Sequence, residues 1–292
     1  MTLGSANTAQ GAIGNAAPSV QVGLVGRGIL LSRTPGMHVA EGQALGLDYS
    51  YDFIDPDAME RDPTLAELLD EAEAAGFAGL NVTFPYKREV IGLLDGLSDA
   101  AGKVGAVNTV VFRDGKRFGH NTDFWGFAES VRQGLPGVAR DGVLLLGAGG
   151  AGGAVGHALR DVGAKTVFVY DQSPEVAEAL AQDIGGRAVR DLAAAAAEAD
   201  GIVNATPMGM AKLPGMAIPA ELIQPRHWVA DIVYFPRETE LLATARAKGC
   251  AVLDGSGMAV FQAVRAFKLF TGLDPDPARM RATFEAFQDP TN

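Results

Sequence analysis

Apolar residues recur with two different periods in the first third of the chain. Apolar or alternating runs of strand length, QVGLVG, DYSYDFID and FAGLNVTF, occupy residues 21–26, 48–55 and 77–84. Between them, residues 38–46 and 64–76 have the apolar spacing of helices. This order of strand, helix, strand, helix and strand predicts an α/β unit with parallel strand pairing.

The next part of the chain predicts one more helix and a hairpin. Residues 87–98, KREVIGLLDGLS, have helical spacing. Residues 105–123 contain two short strand-like runs on either side of Asp114-Gly115, a dipeptide that favours a tight hairpin turn. We therefore expect residues 20–123 to form a first domain, preceded by a flexible tail at residues 1–19.

A second α/β unit is predicted from Phe124 onward. Residues 142–171 have the pattern of a strand, a glycine-rich turn, a helix and a strand, and the alternation continues after them. Residues 258–272 predict a last long helix that packs back on the first unit. We therefore expect a second domain at residues 124–254 and C-terminal helices at residues 255–292.

The composition excludes several classes of function. The 292 residues are 48% hydrophobic and 20% charged, with a formal net charge of -11, so binding to nucleic acid is not expected. No apolar run reaches the roughly 18 residues of a membrane span. The one cysteine, Cys250, allows no intrachain disulfide, and no metal site is expected. The N-terminal residues lack the basic start of a signal peptide, so a cytoplasmic location is expected.

The glycine-rich turn indicates a dinucleotide site. It matches the pattern G-x-G-x-x-G between an apolar strand and a helix, which permits a close backbone approach to a pyrophosphate at the helix N-terminus. Asp171 ends the next strand, nineteen residues after Gly152, near the spacing of the acidic residue that binds an adenosine ribose. The expected cofactor residues of this turn are Gly147, Ala148, Gly149, Gly150, Ala151 and Gly152.

Asp171 also bears on which cofactor binds. A carboxylate at this place accepts hydrogen bonds from a ribose 2′-hydroxyl and repels a 2′-phosphate. Gln172 and Ser173 follow it, and neither supplies the positive charge that a 2′-phosphate needs. NAD is therefore favoured over NADP, which remains possible. The structural alternative is that Asp171 serves only as a turn or N-cap residue.

Six sequence blocks, in order along the chain, resemble the shikimate dehydrogenase family. The blocks are NVTFPYK at 81–87, GAVNT at 105–109, NTDFWG at 121–126, GAGGAG at 147–152, NATPMG at 204–209 and DGSGMAVFQ at 254–262. The resemblance implies an α/β substrate-binding domain followed by a Rossmann-type dinucleotide-binding domain, with the reaction in the cleft between them.

Two departures from the family pattern point to one branch of it. The substrate loop reads Ser32-Arg33-Thr34-Pro35, where the family usually has Ser-x-Ser-Pro, and this variant resembles the quinate/shikimate dehydrogenases. Asp171-Gln172-Ser173 stands where NADP-dependent members carry Asn-Arg-Thr. Both departures favour a catabolic member that uses NAD.

The resemblance implies that Lys87 and Asp123 form the catalytic pair. Elementary chemistry agrees, because oxidising a secondary alcohol requires a side chain that takes the hydroxyl proton while a nicotinamide takes the hydride. The structural alternatives are a surface lysine and a helix N-cap. The resemblance further implies substrate contacts from Ser32, Thr34, Thr83, Asn108, Thr122, Tyr234 and Gln262, and cofactor contacts from Thr206, Met208, Val233, Gly255 and Met258.

The expected function is therefore the NAD-dependent interconversion of quinate or shikimate with their 3-dehydro forms. The substrate is a small cyclic hydroxy acid, and the chain is expected to be a monomer or a homodimer. Three alternatives stay open. They are an NADP-dependent shikimate dehydrogenase of aromatic amino-acid biosynthesis, an enzyme for an aminated ring acid, and a dinucleotide-sensing protein without activity.

Overall fold

The computed structural model describes residues 17–287, and most of the predicted tail at residues 1–19 lies outside the described residues. Within that range the chain forms two six-stranded sheets with helices packed on them, which confirms the α/β fold class. Among these residues, no helix is both long and apolar enough to cross a membrane. The domain boundaries given above stay a prediction, although each sheet is drawn from one continuous part of the chain.

The first sheet is mixed, with strand order β2-β1-β3-β5-β6-β4. Its strands β1, β2 and β3 pair in parallel, as predicted, whereas β3 pairs with β5 in the antiparallel sense. The elements of this part are β1 (Ser19–Val25), α1 (Thr34–Ala44), β2 (Asp48–Ile54), α2 (Leu65–Ala74), β3 (Gly79–Val82), β4 (Gly96–Leu97), α3 (Asp99–Val104), β5 (Thr109–Arg113) and β6 (Lys116–His120), with 3-10 turns at Pro56–Ala58 and Glu89–Leu93.

The predicted hairpin and the predicted helix over residues 64–76 are both confirmed. Asp114 and Gly115 have φ values of 54° and 67°, and they join two strands that pair in register. Those positive angles belong to the tight turn whose twist suits a hairpin. The N-terminus of α2 carries a capping box between Thr64 and Glu67, and Gly76, with φ of 85°, follows its last turn.

The predicted helix over residues 87–98 is wrong. This segment holds the 3-10 turn Glu89–Leu93 and then β4, which pairs with β6 at the edge of the sheet. The Asp95 carboxylate accepts from the Arg117 backbone N–H at 2.8 Å, which ties the segment to that edge. A free sheet edge offers backbone partners, and Gly92 and Gly96 weaken the helix that the apolar spacing suggested.

The second sheet is parallel throughout, with strand order β12-β11-β10-β7-β8-β9. The chain runs outward from β7 in one direction through β8 and β9, and in the other through β10, β11 and β12. Its elements and those that follow are α4 (Thr122–Gly134), β7 (Gly142–Leu146), α5 (Gly150–Asp161), β8 (Thr166–Tyr170), α6 (Pro174–Ile184), β9 (Arg187–Ala188), α7 (Leu192–Glu198), β10 (Gly201–Asn204), β11 (Trp228–Asp231), α8 (Glu240–Ala247), β12 (Ala251–Leu253), α9 (Ser256–Thr271) and α10 (Pro277–Ala286), with a 3-10 turn at Ala220–Leu222.

Helices α4 and α9 join the two sheets and pack closely together. A Cβ on Gly126 of α4 would lie 2.8 Å from the Gln262 backbone nitrogen and from the Met258 carbonyl oxygen, so only glycine permits this approach. The far end of α9 packs on the first sheet, where Phe267 and Phe270 are buried. The last long helix therefore packs back on the first sheet, as predicted.

His38 lies in the core between α1, β2 and α9, and its side chain is fully buried. Its Nδ1 atom is 2.9 Å from the Tyr49 hydroxyl, and the rings of Tyr51, Phe267 and Phe270 surround it. Burial in this apolar setting lowers the pKa of His38 from 6.5 to about 3. The folded protein therefore holds His38 neutral at pH values well above 3.

This pKa shift predicts a loss of stability in mild acid. Below pH 6.5 the unfolded chain takes up a proton that the folded chain does not, so the free energy of unfolding falls as the pH drops towards 3. At pH 5 the loss from His38 is about 2 kcal/mol. In His38→Gln this part of the pH dependence disappears, as urea unfolding at pH 8 and pH 5 would measure. An equal difference between the two pH values in both proteins would contradict the assignment.

Candidate functional site

Lys87 lies in a turn after β3, before the 3-10 turn, and not in the first turn of a helix. Its backbone carbonyl oxygen accepts from the Val107 N–H at 2.8 Å, which fixes the turn against the segment that leads into β5. The side chain is 27% exposed. The turn therefore directs the only amine of this segment towards the start of α4.

Asp123 lies in the first turn of α4, where a negative charge suits the helix dipole. The N-cap of this helix is Asn121, whose side chain accepts from the Phe124 N–H at 2.9 Å. The Asn121 amide nitrogen in turn donates to the Ala106 carbonyl at 3.0 Å. Asp123 is thus not the cap of the helix, and its carboxylate remains available for other contacts.

Lys87 and Asp123 form an ion pair, with 2.7 Å between Nζ and Oδ2. The Asp123 side chain is 15% exposed, so the pair is half shielded from water. Tyr234, in the loop after β11, lies within electrostatic reach of both. Burial raises the pKa of the Tyr234 phenol, while the positive charges of Lys87 and Arg33 oppose that rise. Tyr234 itself is 40% exposed, so the direct contact in this part of the site is the one between the amine and the carboxylate.

Asn108 and Thr122 are buried behind the ion pair. The Asn108 Oδ1 atom accepts from the Thr122 N–H at 2.6 Å, and its Nδ2 donates to the Thr122 hydroxyl at 3.0 Å. Only 4% of Asn108 and 1% of Thr122 are exposed. The two residues hold the first turn of α4 in place, so they position the Asp123 carboxylate.

Two residues without a predicted role extend this polar network. Asn81 donates to the Thr109 hydroxyl at 3.0 Å and accepts from the Tyr51 hydroxyl at 2.8 Å. Asn81 belongs to the NVTFPYK block, and a buried asparagine inside an otherwise apolar strand was the signal for it. Nothing in the sequence around Tyr51 indicated this hydrogen bond, because its partner, Asn81, lies thirty residues away.

Two of the expected substrate residues, Ser32 and Thr34, lie at the N-terminus of α1. Thr34 begins this helix, and its N–H is 3.4 Å from the Ser32 hydroxyl. Gln262 of α9 reaches the Thr34 hydroxyl at 3.4 Å, so the two predicted substrate residues meet across two helices. Arg33, between the two hydroxyl residues, is 9% exposed and lies over the rings of Phe235 and Phe284.

Thr83 follows β3 and lies four residues before Lys87. Its side chain packs against Gly26. A Cβ added to Gly26 would lie 2.4 Å from the Thr83 methyl group. Its backbone N–H donates to the Val25 carbonyl at 2.9 Å. Thr83 is partly buried at the carboxyl end of the first sheet, on the same side as Lys87.

Three of the four glycines in the glycine-rich turn, Gly147, Gly149 and Gly152, lie in three different settings. Gly147 has φ of 95°, in the left-handed region that favours glycine. A Cβ on Gly152 would lie 2.2 Å from the Gly147 carbonyl oxygen, so this glycine allows the helix to approach the turn. A Cβ on Gly149 would meet nothing within 4 Å, so the space in front of this glycine is open.

The N-terminus of α5 fits a pyrophosphate. Gly149 is its N-cap, and no side chain caps the helix. Gly149 and Gly150 are exposed, and they lie at the crevice between β7 and β10, where the strand order reverses. Ligands of parallel sheets bind at such reversal points. The residues present therefore fit a dinucleotide, with Ala148 and Ala151 supplying backbone in the same turn.

The Asp171 carboxylate is fixed by two backbone N–H groups. Its Oδ2 accepts from Ala148 at 2.8 Å and its Oδ1 from Ser173 at 3.0 Å. The first contact joins the end of β8 to the glycine-rich turn. The N-cap of α6 is Ser173, not Asp171, because the Ser173 hydroxyl accepts from the Val176 N–H at 3.4 Å. Asp171 therefore sits beside the turn with its charge held in place.

The loop after β10 carries Thr206 and Met208 and rests on a buried polar cluster. Asn204 accepts from the Thr206 hydroxyl at 2.6 Å and donates to Asp231 at 2.9 Å. Thr239 donates to the same Asp231 carboxylate at 2.7 Å. Burial raises the pKa of Asp231, and these hydrogen bonds oppose the rise. The sequence alone indicated no role for this cluster, although β10 and β11 each end in one of its polar residues, Asn204 and Asp231.

Val233, Gly255 and Met258 lie where the loop after β11 meets the start of α9. A Cβ on Gly255 would be 2.6 Å from the Val233 carbonyl oxygen, so the two segments are in contact. Val233 is only 6% exposed, whereas Met258 is partly buried against the core of the second sheet. The structure thus gathers these three predicted cofactor residues beside the Tyr234 loop.

Sequence comparisons identify the family. Residues 24–110 match the shikimate dehydrogenase substrate binding domain, and residues 255–283 match the shikimate 5'-dehydrogenase C-terminal domain. The chain is 50% identical over 276 residues to the shikimate dehydrogenase (NADP(+)) of Pseudarthrobacter chlorophenolicus, and the alignment covers 91% of this chain and 94% of that protein. It is also 50% identical over 277 residues to the quinate/shikimate dehydrogenase (NAD(+)) of Corynebacterium efficiens. That alignment covers 91% of this chain and 98% of that protein.

A solved structure agrees with the sequence comparisons. Quinate dehydrogenase from Corynebacterium glutamicum in complex with NAD superimposes with a TM-score of 0.90 at 47% identity, covering 92% of this chain and all of that one. The similarity therefore extends over both sheets and the helices that join them. The chain belongs to the shikimate dehydrogenase family, whose members are NAD(P)-dependent oxidoreductases that act on a CH–OH group.

Proposed function

We propose that this chain interconverts quinate or shikimate with their 3-dehydro forms and prefers NAD. The observation that carries the proposal is the Lys87–Asp123 ion pair at the carboxyl end of the first sheet, 2.7 Å long and half shielded from water. A dinucleotide-sensing protein without activity would not need this pair, so its presence argues against that alternative. The proposal concerns the substrate, the cofactor preference and the roles of individual residues.

Lys87 handles the proton of the reacting hydroxyl. In its neutral form the Lys87 amine accepts that proton as the substrate is oxidised, and the resulting ammonium returns it in the reverse direction, a role worth about 10²–10⁴ in rate. Asp123 holds the amine in position and stabilises the ammonium. The bound nicotinamide supplies the hydride acceptor.

The ring acid binds between the first sheet and α9. Ser32 and Thr34 donate to its carboxylate, with the positive end of α1 beside them. Thr83 and Gln262 contact the ring hydroxyls, and Tyr234 contacts the carboxylate or lies on the nicotinamide side. Asn108 and Thr122 are nearly buried and fully engaged with each other, so their main contribution is to hold Asp123.

The cofactor preference rests on Asp171. Its carboxylate is held beside the glycine-rich turn by Ala148 and Ser173, where it accepts from a ribose 2′-hydroxyl and repels a 2′-phosphate. The curated relatives include both NAD and NADP enzymes at the same identity. An NADP-dependent shikimate dehydrogenase is therefore the second candidate.

Initial rates with two acids and two cofactors test the proposal. Purified protein should reduce NAD in the presence of quinate or shikimate, and NADP should support a lower kcat/KM. A higher kcat/KM with NADP would favour the second candidate. If neither acid supports turnover with either cofactor, the proposed substrates are wrong.

A further inference from the structure

We propose that Arg190 decides how well this chain uses NADP, by binding the 2′-phosphate that Asp171 repels. The inference rests on the proposed function and concerns the adenosine end of the same cofactor site. It assigns a specificity-determining role to a residue outside all six sequence blocks that resemble the family.

Continuing the register of β8 and β9 beyond their last paired residues brings Arg190 towards Asp171. The two strands are parallel, with Phe168 opposite Arg187 and Val169 opposite Ala188. The Val189 N–H continues the ladder by donating to the Val169 carbonyl at 2.9 Å. Extending this register by two residues brings Arg190 opposite Asp171, at a separation near the roughly 4.8 Å between neighbouring strands.

Arg190 is held only loosely in its present position. Its guanidinium is 3.2 Å from a Glu178 carboxylate oxygen, and the two side chains are 78% and 59% exposed. Exposed ion pairs of this kind contribute little, so releasing the side chain costs little. An arginine in this setting can turn towards the end of β8 when an anion binds there.

The positive charge of Arg190 also acts on Glu175, in the turn after Asp171. The pKa of Glu175 is lowered first by hydrogen bonds from its own backbone N–H and from the Ser173 hydroxyl, and further by the positive charge of Arg190. Ser173 is also the residue whose N–H fixes Asp171. The carboxylate of Asp171 is therefore fixed, whereas the guanidinium of Arg190 is free to move.

These two groups suit two different ligands. The Asp171 carboxylate accepts from a free 2′-hydroxyl, as NAD presents. The planar guanidinium of Arg190 matches a phosphate and can donate two hydrogen bonds to it. Glu178 competes with that phosphate for Arg190. The pair thus explains how a site with an acidic ribose residue can still accept NADP.

Binding of adenosine fragments to the full chain separates this effect from catalysis. Calorimetry would compare 2′,5′-ADP with 5′-AMP, which differ only in the 2′-phosphate. In Arg190→Ala, 2′,5′-ADP should bind about tenfold more weakly, while 5′-AMP should change by less than about twofold. Higher salt should shrink the difference, because the contact is exposed.

Glu178 and Arg187 provide the matched variants. Glu178→Gln should strengthen 2′,5′-ADP binding about two- to threefold by freeing Arg190, and the double variant with Arg190→Ala should lose this gain. Arg187→Ala removes the neighbouring arginine of β9, which pairs with Glu198, and should alter neither ligand. The ratio of kcat/KM for NADP over NAD should fall in Arg190→Ala by the same factor as the fragment affinity.

Two results would overturn the assignment. An equal loss of both fragments in Arg190→Ala would mean that this residue contacts the adenine, and no loss of either would mean that it contacts neither. Absence of turnover with quinate and shikimate would count against the proposed substrates only, because the fragment affinities would still decide the role of Arg190.

Discussion

Lys87→Ala should lower kcat by about 10²–10⁴ while changing the affinity for the ring acid by less than about tenfold. The reason is that the Lys87 amine, 2.7 Å from Asp123, is the group that we assign to the hydroxyl proton. Alanine removes the amine, while the hydrogen bonds of Asn121, Asn108 and Thr122 still hold the first turn of α4. Steady-state rates, with ring-acid affinity from calorimetry, give the two quantities separately.

Lys165→Ala is the matched control for this result. Lys165 forms an ion pair of similar length, 2.8 Å, with Asp141, but the two side chains are 74% and 73% exposed. Its removal should leave kcat within about twofold of the unmodified protein. If Lys87→Ala keeps its kcat and melting temperature, Lys87 has no part in proton transfer.

Gly149→Asp should weaken NAD binding by about 100-fold or more without unfolding the protein. A side chain fits at this position, because an added Cβ meets nothing within 4 Å and φ is -72°. The new carboxylate would occupy the N-terminus of α5, where the pyrophosphate is expected, and would repel it. Aspartate and glycine are both favourable N-cap residues and differ there by roughly a few tenths of a kcal/mol, so the fold should be as stable as before.

Cofactor affinity and thermal unfolding measured on the same samples separate the two effects. Gly102→Asp is the control, since Gly102 also has open space around it and lies in α3, in the first part of the chain. It should leave NAD affinity unchanged. Gly152 is unsuitable for this test, because its Cβ would meet the Gly147 carbonyl at 2.2 Å and the fold itself would suffer. Unaltered NAD affinity in Gly149→Asp would place the pyrophosphate elsewhere.

The order of elements was predictable because its signals are local. The hairpin at Asp114-Gly115 depends on two residues that adopt positive φ, and the helix that begins after Thr64 depends on a capping box within four residues. The glycine-rich turn between β7 and α5 is equally local. Such features need no knowledge of the rest of the chain, and the structure confirms each of them.

The error over residues 87–98 has a non-local cause. The apolar spacing there suited a helix, but Asp95 binds the backbone of Arg117, twenty-two residues away, and Gly96 pairs with Phe118. Sheet edges compete with helices for the same backbone groups, and this competition depends on where the edge lies. No pattern within the segment carries that information.

The polar groups behind the site were unpredictable for the same reason. Asn204, Asp231 and Thr239 come from three separate segments and share their hydrogen bonds at the end of two strands. Each is an ordinary polar residue in the sequence. Their joint role, which is to support the loop of Thr206 and Met208, exists only once β10 and β11 lie side by side.

Most strands and helices, the glycine-rich turn and the family resemblance could be recognised from the sequence alone, because each depends on short runs of residues whose backbone preferences or order can be seen along the chain. Only the folded chain shows that Lys87 contacts Asp123 and that Asn108 holds the first turn of α4. Contacts between residues far apart in sequence form only when the sheets pair in register and the helices pack, and the resulting distances and burial set the chemistry of the site.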